Sequence, residues 1–492
     1  MPSAAKVIAS LTAVPAPERL RELAATAEVL EIRADLFAEP DGSWLRQHFP
    51  GRLLYTLRSK EEGGRFGGGL AERQARLTAA AAAYDLVDLE RRDLEPQTLE
   101  AVPPNQRVIS WHGKPDSLEK LQQVAESLMV EQAYWYKLVT WAAKSGPERW
   151  PLALLHALGR DDVIAFAAGD VGTWTRLMAP VLGSPAIFAA GGPRPAAPGQ
   201  LAVERLVGDY RWPLPQEVHW LFGIVGRPVA HSLSPYLFNR ALREMEISGL
   251  YLPFHVENFG EFWLEVVEEG GFVEAGCSLR GLSVTAPYKR IAVAVAGATS
   301  PLVERIASAN TLTRREGVWE ADSTDPEGVL GPLRRRQIVV RGRRAAVLGA
   351  GGAGRAAAFA LDEAGAEVTL FNRDPERGAR SARELGLPCA SWDDLDPASF
   401  GVVVHATPLG REDSDPLPCE PSALPQDGVG VDLVYRRDGA TPWVQALREA
   451  GRIAIDGREV LLHQALPQFM AMTGREMPSD LVAELLVEVG AA

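Results

Sequence analysis

Arg343-Arg344-Ala345-Ala346-Val347-Leu348-Gly349-Ala350-Gly351-Gly352-Ala353-Gly354-Arg355 is a short apolar run that meets three spaced glycines and then an alanine-rich stretch. The spacing G-x-G-x-x-G is weak by itself, but its frame here is specific. A strand is expected over 345–348, a helix over 355–364 and a second strand over 367–371, which together make a βαβ unit. Gly349 permits the tight turn. Gly351 lets the backbone approach a pyrophosphate, and Gly354 lets helix and strand pack closely. With Ala350, Gly352 and Ala353 completing the turn, phosphates would sit at the positive end of the helix dipole. The end of the second strand selects the cofactor. An NAD site wants an acid there, about 20 residues after the first glycine, to accept from the ribose 2′-hydroxyl. The chain offers Asn372 and Arg373, with Arg377 one turn on and Asp374 just beyond the strand. A 2′-phosphate would be welcome, and NADP is the expected cofactor.

More than three hundred residues precede this turn and need another role. At 492 residues the chain is too long for one core and long enough for about three domains. From Lys6 to Pro193 short apolar strands alternate with helical patterns. The strands are expected over 6–11, 29–35, 53–58, 86–90, 107–112, 135–141, 163–167 and 186–189, with helices such as 17–28 and 118–131 between them. Eight such units imply a closed (β/α)₈ barrel. Gly191-Gly192-Pro193 and Trp212-Pro213-Leu214-Pro215 read as connector. The expected organisation is α/β throughout: a barrel over 1–212, then a two-domain dehydrogenase. The dehydrogenase would have a substrate-binding domain over 217–340 and a Rossmann-like NADP-binding domain over 341–455. The mostly helical 456–492 would pack back on the substrate domain.

Composition excludes several classes. A net charge of −13 without a basic stripe argues against nucleic-acid binding. Cys277, Cys389 and Cys419 show neither disulfide nor zinc spacing, so no metal is expected. No apolar run reaches the length that spans a membrane. A strand begins at Lys6 with no Arg/Ser-rich leader before it, which points to the cytoplasm. The partners expected are small-molecule substrates, and a homo-oligomer is compatible with the sequence.

Barrel active sites form at the C-terminal ends of strands. Glu31, Arg33, Arg58, Glu90, His112 and Lys137 fall there. Lys137 lies within Tyr134-Trp135-Tyr136-Lys137-Leu138-Val139-Thr140-Trp141, where burial among aromatics would lower its pKa and free a nucleophilic amine. Its plainer reading is a packed stem with a solvated head. His112, one strand away, suits proton transfer, and Glu90 could orient it or form an ordinary ion pair. Arg58 and Arg176 could clamp a carboxylate. The segment 61–69, rich in glycine after Glu61-Glu62, is a connector or a lid over the mouth.

These residues resemble type I 3-dehydroquinate dehydratase. The matching stretches are Glu31-Ile32-Arg33-Ala34-Asp35, Tyr55-Thr56-Leu57-Arg58 with Glu62-Gly63-Gly64, Asp88-Leu89-Glu90, Val108-Ile109-Ser110-Trp111-His112, Lys137-Leu138, Arg176, Gly183-Ser184 and Ala197-Pro198-Gly199-Gln200. The resemblance implies a barrel lyase in which Lys137 forms an imine, His112 is the general acid and base, and Glu90 supports it. Glu31, Arg33, Arg58, Arg176 and Gln200 would hold the substrate. Ala196 and Thr175 stand where the family has serines.

In the second half, Ser232 and Ser234 flank a strand-to-helix turn that could bind an anion or simply cap the helix. Lys289 follows an apolar strand end and Asp325 lies downstream. Such a pair could feed a proton to an alkoxide, or be a surface ion pair. This half resembles shikimate dehydrogenase through His231-Ser232-Leu233-Ser234-Pro235, Ser283-Val284-Thr285-Ala286-Pro287-Tyr288-Lys289, Asn310-Thr311, Thr324-Asp325, the glycine turn, Ala406-Thr407-Pro408-Leu409-Gly410, Asp432-Leu433-Val434-Tyr435, Thr441-Pro442 and Gln464-Ala465. The resemblance implies Lys289 and Asp325 as the catalytic pair. Ser232, Ser234, Thr285, Asn310, Tyr435 and Gln464 would bind substrate, and Thr407 would line the cofactor site. His405, Ser323, Phe238 and Arg437 depart from the family pattern. His405 is expected near the nicotinamide.

The two halves imply consecutive reactions: dehydration of 3-dehydroquinate, then NADPH-dependent reduction to shikimate. Two alternatives stand beside that reading. One is a dehydrogenase acting on quinate. The other is a non-enzymatic sensor of pathway intermediates, which would not need Lys137, His112, Lys289 and Asp325 together.

Overall fold

The computed structural model describes residues 5–215, 217–270, 272 and 276–490. Eight parallel strands form the first sheet: β1 (Lys6–Leu11), β2 (Val29–Arg33), β3 (Arg52–Thr56), β4 (Leu86–Glu90), β5 (Arg107–Gly113), β6 (Trp135–Trp141), β7 (Val163–Ala168) and β8 (Ala186–Ala190). Their order is β7-β6-β5-β4-β3-β2-β1-β8. The strands read as unbroken apolar runs because helices cover one face and barrel interior the other. The expected closure is corrected at one seam: among the described residues β7 and β8 share no ladder. The chain after β8 laces that seam instead. Gly169 N donates to Pro198 O (3.2 Å) and Ala190 N to Leu201 O (2.7 Å). Gly199, at φ +73°, comes so close that a Cβ there would lie 2.2 Å from Gly169 O. Strands β2 and β3 are shorter than the sequence suggested, so Asp35 and Arg58 project from the first residues of loops.

Twelve further strands follow: β9 (Trp220–Gly226), β10 (Gly249–His255), β11 (Ser278–Val284), β12 (Ala298–Thr299), β13 (Thr311–Arg315), β14 (Val318–Asp322), β15 (Arg344–Leu348), β16 (Glu367–Asn372), β17 (Cys389–Ser391), β18 (Val402–His405), β19 (Val429–Asp432) and β20 (Ile453–Ile455). β11, β13 and β14 pair antiparallel. The sheet β17-β16-β15-β18-β19-β20 is all parallel. It is a doubly wound sheet, and the glycine turn tops β15 where the strand order reverses. The helix after that turn starts at Gly352, earlier than the sequence pattern suggested, because the last glycines form its first turn.

Chain contacts group the molecule into two compact units. One is Met1–Leu221 with Glu246–Leu279, and the other is Phe222–Met245 with Arg280–Ala492. The barrel unit contains an unusual acid. Glu148 is 1% exposed, and neither carboxylate oxygen has a full hydrogen bond. Burial pushes it up to about 7, while backbone amides and the Trp174 side chain offset only part of that. A carboxyl whose folded pKa exceeds its unfolded value favours the fold at low pH and loses that contribution as pH rises from about 4.5 through 7. Glu148→Gln should therefore stabilise the barrel unit at pH 8, by on the order of 2–3 kcal/mol, and give little at pH 4. Urea midpoints followed through dehydration activity check this; equal shifts at both pH values would contradict it.

Candidate active sites

The barrel mouth gathers Ser10, Glu31, Arg33, Arg58, Glu62, His112, Lys137, Arg176 and Gln200 around one cavity. Lys137 is 5% exposed, with Nζ 4.1 Å from the Phe188 ring centroid. Nζ also lies 3.4 Å from Asp88 Oδ2 and 3.8 Å from Glu31 Oε1. Its pKa is lowered. Burial is the main cause, and the neighbouring Arg58 and Arg33 add to it against the pull of Asp88 and Glu31. Burial and the surrounding cations Arg58, Lys137, Arg33 and Arg176 hold His112 well below its ordinary value, so its imidazole is neutral and free to accept a proton.

The partner of that imidazole corrects the sequence reading. His112 Nδ1 lies 2.9 Å from Glu62 Oε2, and the His112 amide donates to the same oxygen at 3.1 Å. Glu90 makes no such contact. It ends β4 and accepts from Arg58 Nη1, the Ser59 amide and Arg92 Nε. Burial pushes Glu62 up to about 8, with Glu90 and Asp88 adding to it against Arg58. Glu62 reaches the site because its loop turns back tightly: Gly64 N donates to Ser59 O (2.7 Å) and Phe66 N to Arg58 O (3.1 Å). A Cβ at Gly64 would fall 2.2 Å from Arg58 O. The glycines that suggested a connector or lid thus fasten Glu62 over the site.

The five groups expected to hold substrate are not equivalent, and Glu31 already accepts from Ser10 Oγ and from Thr56 Oγ1 (2.9 Å). Arg58 is already engaged by Asp88 (2.7 Å), Ser110 (2.9 Å), Glu62 and Glu90 (both 3.2 Å). Arg33 is paired with Asp35 at 2.8 and 2.9 Å and donates to Ala196 O. Gln200 bridges Ser10 Oγ (3.0 Å) and the Ala196 amide (2.8 Å). Arg176 differs. It is buried, stacks 4.2 Å over Phe166, reaches Pro198 O only at 3.4 Å, and its Nε has no partner. Burial pushes its pKa down to about 9, with only Glu31 opposing. A buried guanidinium without a paired anion has donors to offer a carboxylate. Ala196 keeps both backbone contacts, so the missing hydroxyl leaves the loop in place.

In the second unit Lys289 Nζ lies 2.6 Å from Asp325 Oδ2. Asn310 Nδ2 donates to the other Asp325 oxygen at 2.9 Å, and Asn310 Oδ1 accepts from the Thr324 amide at 2.8 Å. Asp325 opens the helix Asp325–Arg335, whose dipole favours its charge. Gln468 completes this network, bonding Asn310 O, Thr311 Oγ1 and Ser283 Oγ. The sequence reading singled out Gln464, one turn earlier on the helix Gly457–Thr473, where it lies against Gly328. Ser232 and Ser234 are buried, with Ser234 N donating to Ser232 Oγ at 3.1 Å. Thr285 is held by its amide on Val225 O, and the Tyr435 ring lies 6.4 Å from His231. Arg437 donates to Ser232 O, and Phe238 packs on Phe469. Ser323 is buried, and its Oγ has no hydrogen-bond partner. His405 is fully buried at the end of β18. Its Nδ1 lies 3.0 Å from Asp432 Oδ1 and its Nε2 2.6 Å from Thr407 Oγ1. Its influence on a cofactor would pass through Thr407.

The glycine turn fits a dinucleotide sterically. Gly349 adopts φ +113°, and a Cβ at Gly354 would meet Gly349 O at 2.0 Å. Beside the turn lies a cleft of about 360 Å³ lined by Ala350, Gly351, Gly352, Arg290, Arg355, Arg377 and Arg380, with Asp374 and Glu376. Asn372 Oδ1 accepts from the Ala350 amide at 3.1 Å and so braces the turn. Arg373 is exposed and does not line the cleft. Arg290 and Arg380 were not singled out in the sequence. Arg380 follows Arg377 by three residues on the exposed face of one helix, a spacing that could have flagged it. Asp374 caps that helix by accepting from Glu376 and Arg377 amides. Among the described residues no group of acids, histidines and cysteines could hold a metal, and no helix is long and apolar enough to cross a membrane.

Residues 7–213 match the family model for type I 3-dehydroquinase, and 224–312 match that for the shikimate dehydrogenase substrate-binding domain. A shikimate dehydrogenase (NADP(+)) of Thermus thermophilus is 38% identical over 258 residues, 51% of this chain and 92% of that protein. The chloroplastic bifunctional 3-dehydroquinate dehydratase/shikimate dehydrogenase of Arabidopsis thaliana is 26% identical over 500 residues, 94% of this chain and 80% of that protein. The solved shikimate dehydrogenase of Aquifex aeolicus matches with a TM-score of 0.50 at 29% identity, over 55% of this chain and 97% of its own. The chain belongs to the shikimate dehydrogenase family over its second half and carries a type I 3-dehydroquinase domain ahead of it.

Proposed function

We propose that this chain catalyses two consecutive steps of the shikimate pathway, converting 3-dehydroquinate to 3-dehydroshikimate and then reducing that product to shikimate with NADPH. The observation that carries the first step is Arg176, a buried cation without an anion, at the same mouth as the buried amine of Lys137. Arg176 takes the substrate carboxylate, while Glu31, Arg33, Arg58 and Gln200 shape the rest of the pocket. Lys137 attacks the ketone and loses water to give a protonated imine, an electron sink for the neighbouring carbanion. His112, braced by Glu62, removes the α-proton and returns it to the departing hydroxyl. Hydrolysis of the imine frees Lys137.

In the second half Ser232 and Ser234 hold the carboxylate, and Thr285, Asn310, Tyr435 and Gln464 face the ring substituents. A nicotinamide cofactor, when bound, supplies the hydride. Lys289, poised by Asp325, delivers the proton to the carbonyl oxygen. Arg373, Arg377 and Thr407, with the turn Gly349–Gly354, hold the cofactor. Arg290 and Arg380 add positive charge to the phosphate cleft. A cytoplasmic location and a homo-oligomer are compatible with the reading.

The purified chain given 3-dehydroquinate and NADPH should consume NADPH and accumulate shikimate. Failure to form 3-dehydroshikimate when NADPH is withheld, or faster NADP-linked oxidation of quinate than of shikimate, would overturn the reading. The cofactor preference has its own test. Asp374 puts a negative charge on the cleft meant for phosphate, and Asp374→Asn keeps the cap without the charge. It should lower KM for NADPH about three- to tenfold, a like-charge effect near 1 kcal/mol, and leave NADH little changed. Equal gains for both cofactors would show that Asp374 does not sense the 2′-phosphate.

A further inference from the structure

The helix Thr173–Val181 carries Arg176 into the barrel mouth. Two residues earlier Trp174 points to the opposite side, since two helical steps turn roughly 200°. Trp174 is 1% exposed; beside the Glu148 carboxyl of the barrel, its ring packs on aromatic residues from outside the barrel sequence. Its ring centroid lies 5.7 Å from Phe254 on β10 and 5.3 Å from Phe272. Phe254 in turn contacts Phe262 at 5.2 Å. Next to this cluster the turn after β6 is fastened to the same segment, with Arg149 Nη2 2.8 Å from Glu269 Oε2 and 3.7 Å from Glu265 Oε2. The segment Glu246–Leu279 accordingly belongs to the same compact unit as the barrel.

We propose that the aromatic surface of residues 254–272 is a positioning element of the dehydratase, holding Trp174 and through it Arg176. This rests on reading Arg176 as the carboxylate receptor. Such a receptor must be kept buried and unpaired, against a desolvation penalty that favours its moving out towards water. Two restraints are present on the barrel side: the Phe166 ring under the guanidinium, and Thr175 Oγ1, which donates to Gly172 O (2.6 Å) and accepts from the Ala167 amide (2.9 Å). The third, on the far face of the helix, is Trp174 against Phe254 and Phe272. Offset aromatic packing resists rotation as well as translation, and rotation would swing Arg176 off the carboxylate. A segment following the first catalytic domain thus completes the substrate-binding geometry of that domain.

The test uses the full chain. Trp174→Ala and Phe272→Ala should each raise KM for 3-dehydroquinate about tenfold or more with kcat changed less than about threefold, since misplacement of a binding group costs affinity before chemistry. Trp174→Phe should restore KM. Reduction of 3-dehydroshikimate by Trp174→Ala, unchanged from the parent, shows that the protein is folded. Arg176→Ala serves as the reference and should raise KM far more. If Arg176→Ala raises KM while Trp174→Ala and Phe272→Ala do not, the positioning role is wrong and the receptor stands. If Arg176→Ala leaves KM unchanged, the receptor reading falls, and the proposal with it. A loss confined to kcat in Trp174→Ala also overturns the proposal.

Discussion

Lys137→Ala should lose dehydration of 3-dehydroquinate by at least about 10⁴-fold, while reduction of 3-dehydroshikimate by the same protein proceeds at the parental rate. The size follows from what is removed. Without an amine there is no imine, and without the imine the carbanion formed by proton loss has no electron sink. His112 and Arg176 can still bind and orient substrate, so KM should move little beside kcat. Lys137→Arg should not rescue, because a guanidinium stays protonated and cannot attack a carbonyl. Borohydride with 3-dehydroquinate should trap an adduct on the peptide containing Lys137 in the parent and none in Lys137→Ala. The pH profile has a defined sign. Burial lowers the pKa of Lys137 and that of His112, and both act unprotonated. Dehydration should therefore rise with pH along a limb below the ordinary lysine range. An adduct on another lysine, or a rate that begins to rise only near pH 10, would refute the assignment.

Much of this was legible in the chain because it is encoded locally. Strands β2, β3 and β4 are short apolar runs ending in a polar residue, and the residues at those ends converge whatever the helices do. The glycine turn was equally readable, since its steric demands are met within a few residues: the Cβ that Gly354 lacks would strike Gly349 O. What escaped depends on loops and long-range packing. Glu62 lies in a loop, and nothing in its local pattern says the loop folds back on Arg58. Glu90, at a strand end, looked better placed, yet its side chain is spent beneath Arg58. Gln468 lies one turn beyond Gln464 on a helix with little amphipathic contrast, so nothing local marked it as the partner of Asn310. His405 ends a strand, but side chains alternate along it, and nothing local says that this ring turns inward to Asp432 with Thr407 on its other nitrogen. The seam between β7 and β8 is filled by residues 198–202, a stretch with no periodicity to read.

Lys289→Met should reduce kcat for 3-dehydroshikimate reduction by about 10²–10⁴-fold, the range expected for losing a positioned proton donor, and leave dehydration untouched. The geometry makes the loss specific to proton delivery. Lys289 Nζ is 2.6 Å from Asp325 Oδ2, and the second Asp325 oxygen is held by Asn310, so the ammonium is aimed by a carboxylate that cannot rotate. The Lys289 stem passes beside the glycine turn, where a Cβ at Gly352 would lie 3.2 Å from Lys289 Cδ. The amine therefore stands beside the cofactor turn, which suits the proton delivery proposed for it. Asp325→Asn should cost less than Lys289→Met, since the amide can still accept from the ammonium but no longer favours its charge. The double variant should be no slower than about the worse single one, because the two groups act as one device. Binding of NADPH, followed by fluorescence, should be nearly unchanged in all three. Additive losses in the double variant would separate the two residues into independent roles. Loss of NADPH binding in Lys289→Met would move that lysine from proton delivery to the cofactor site.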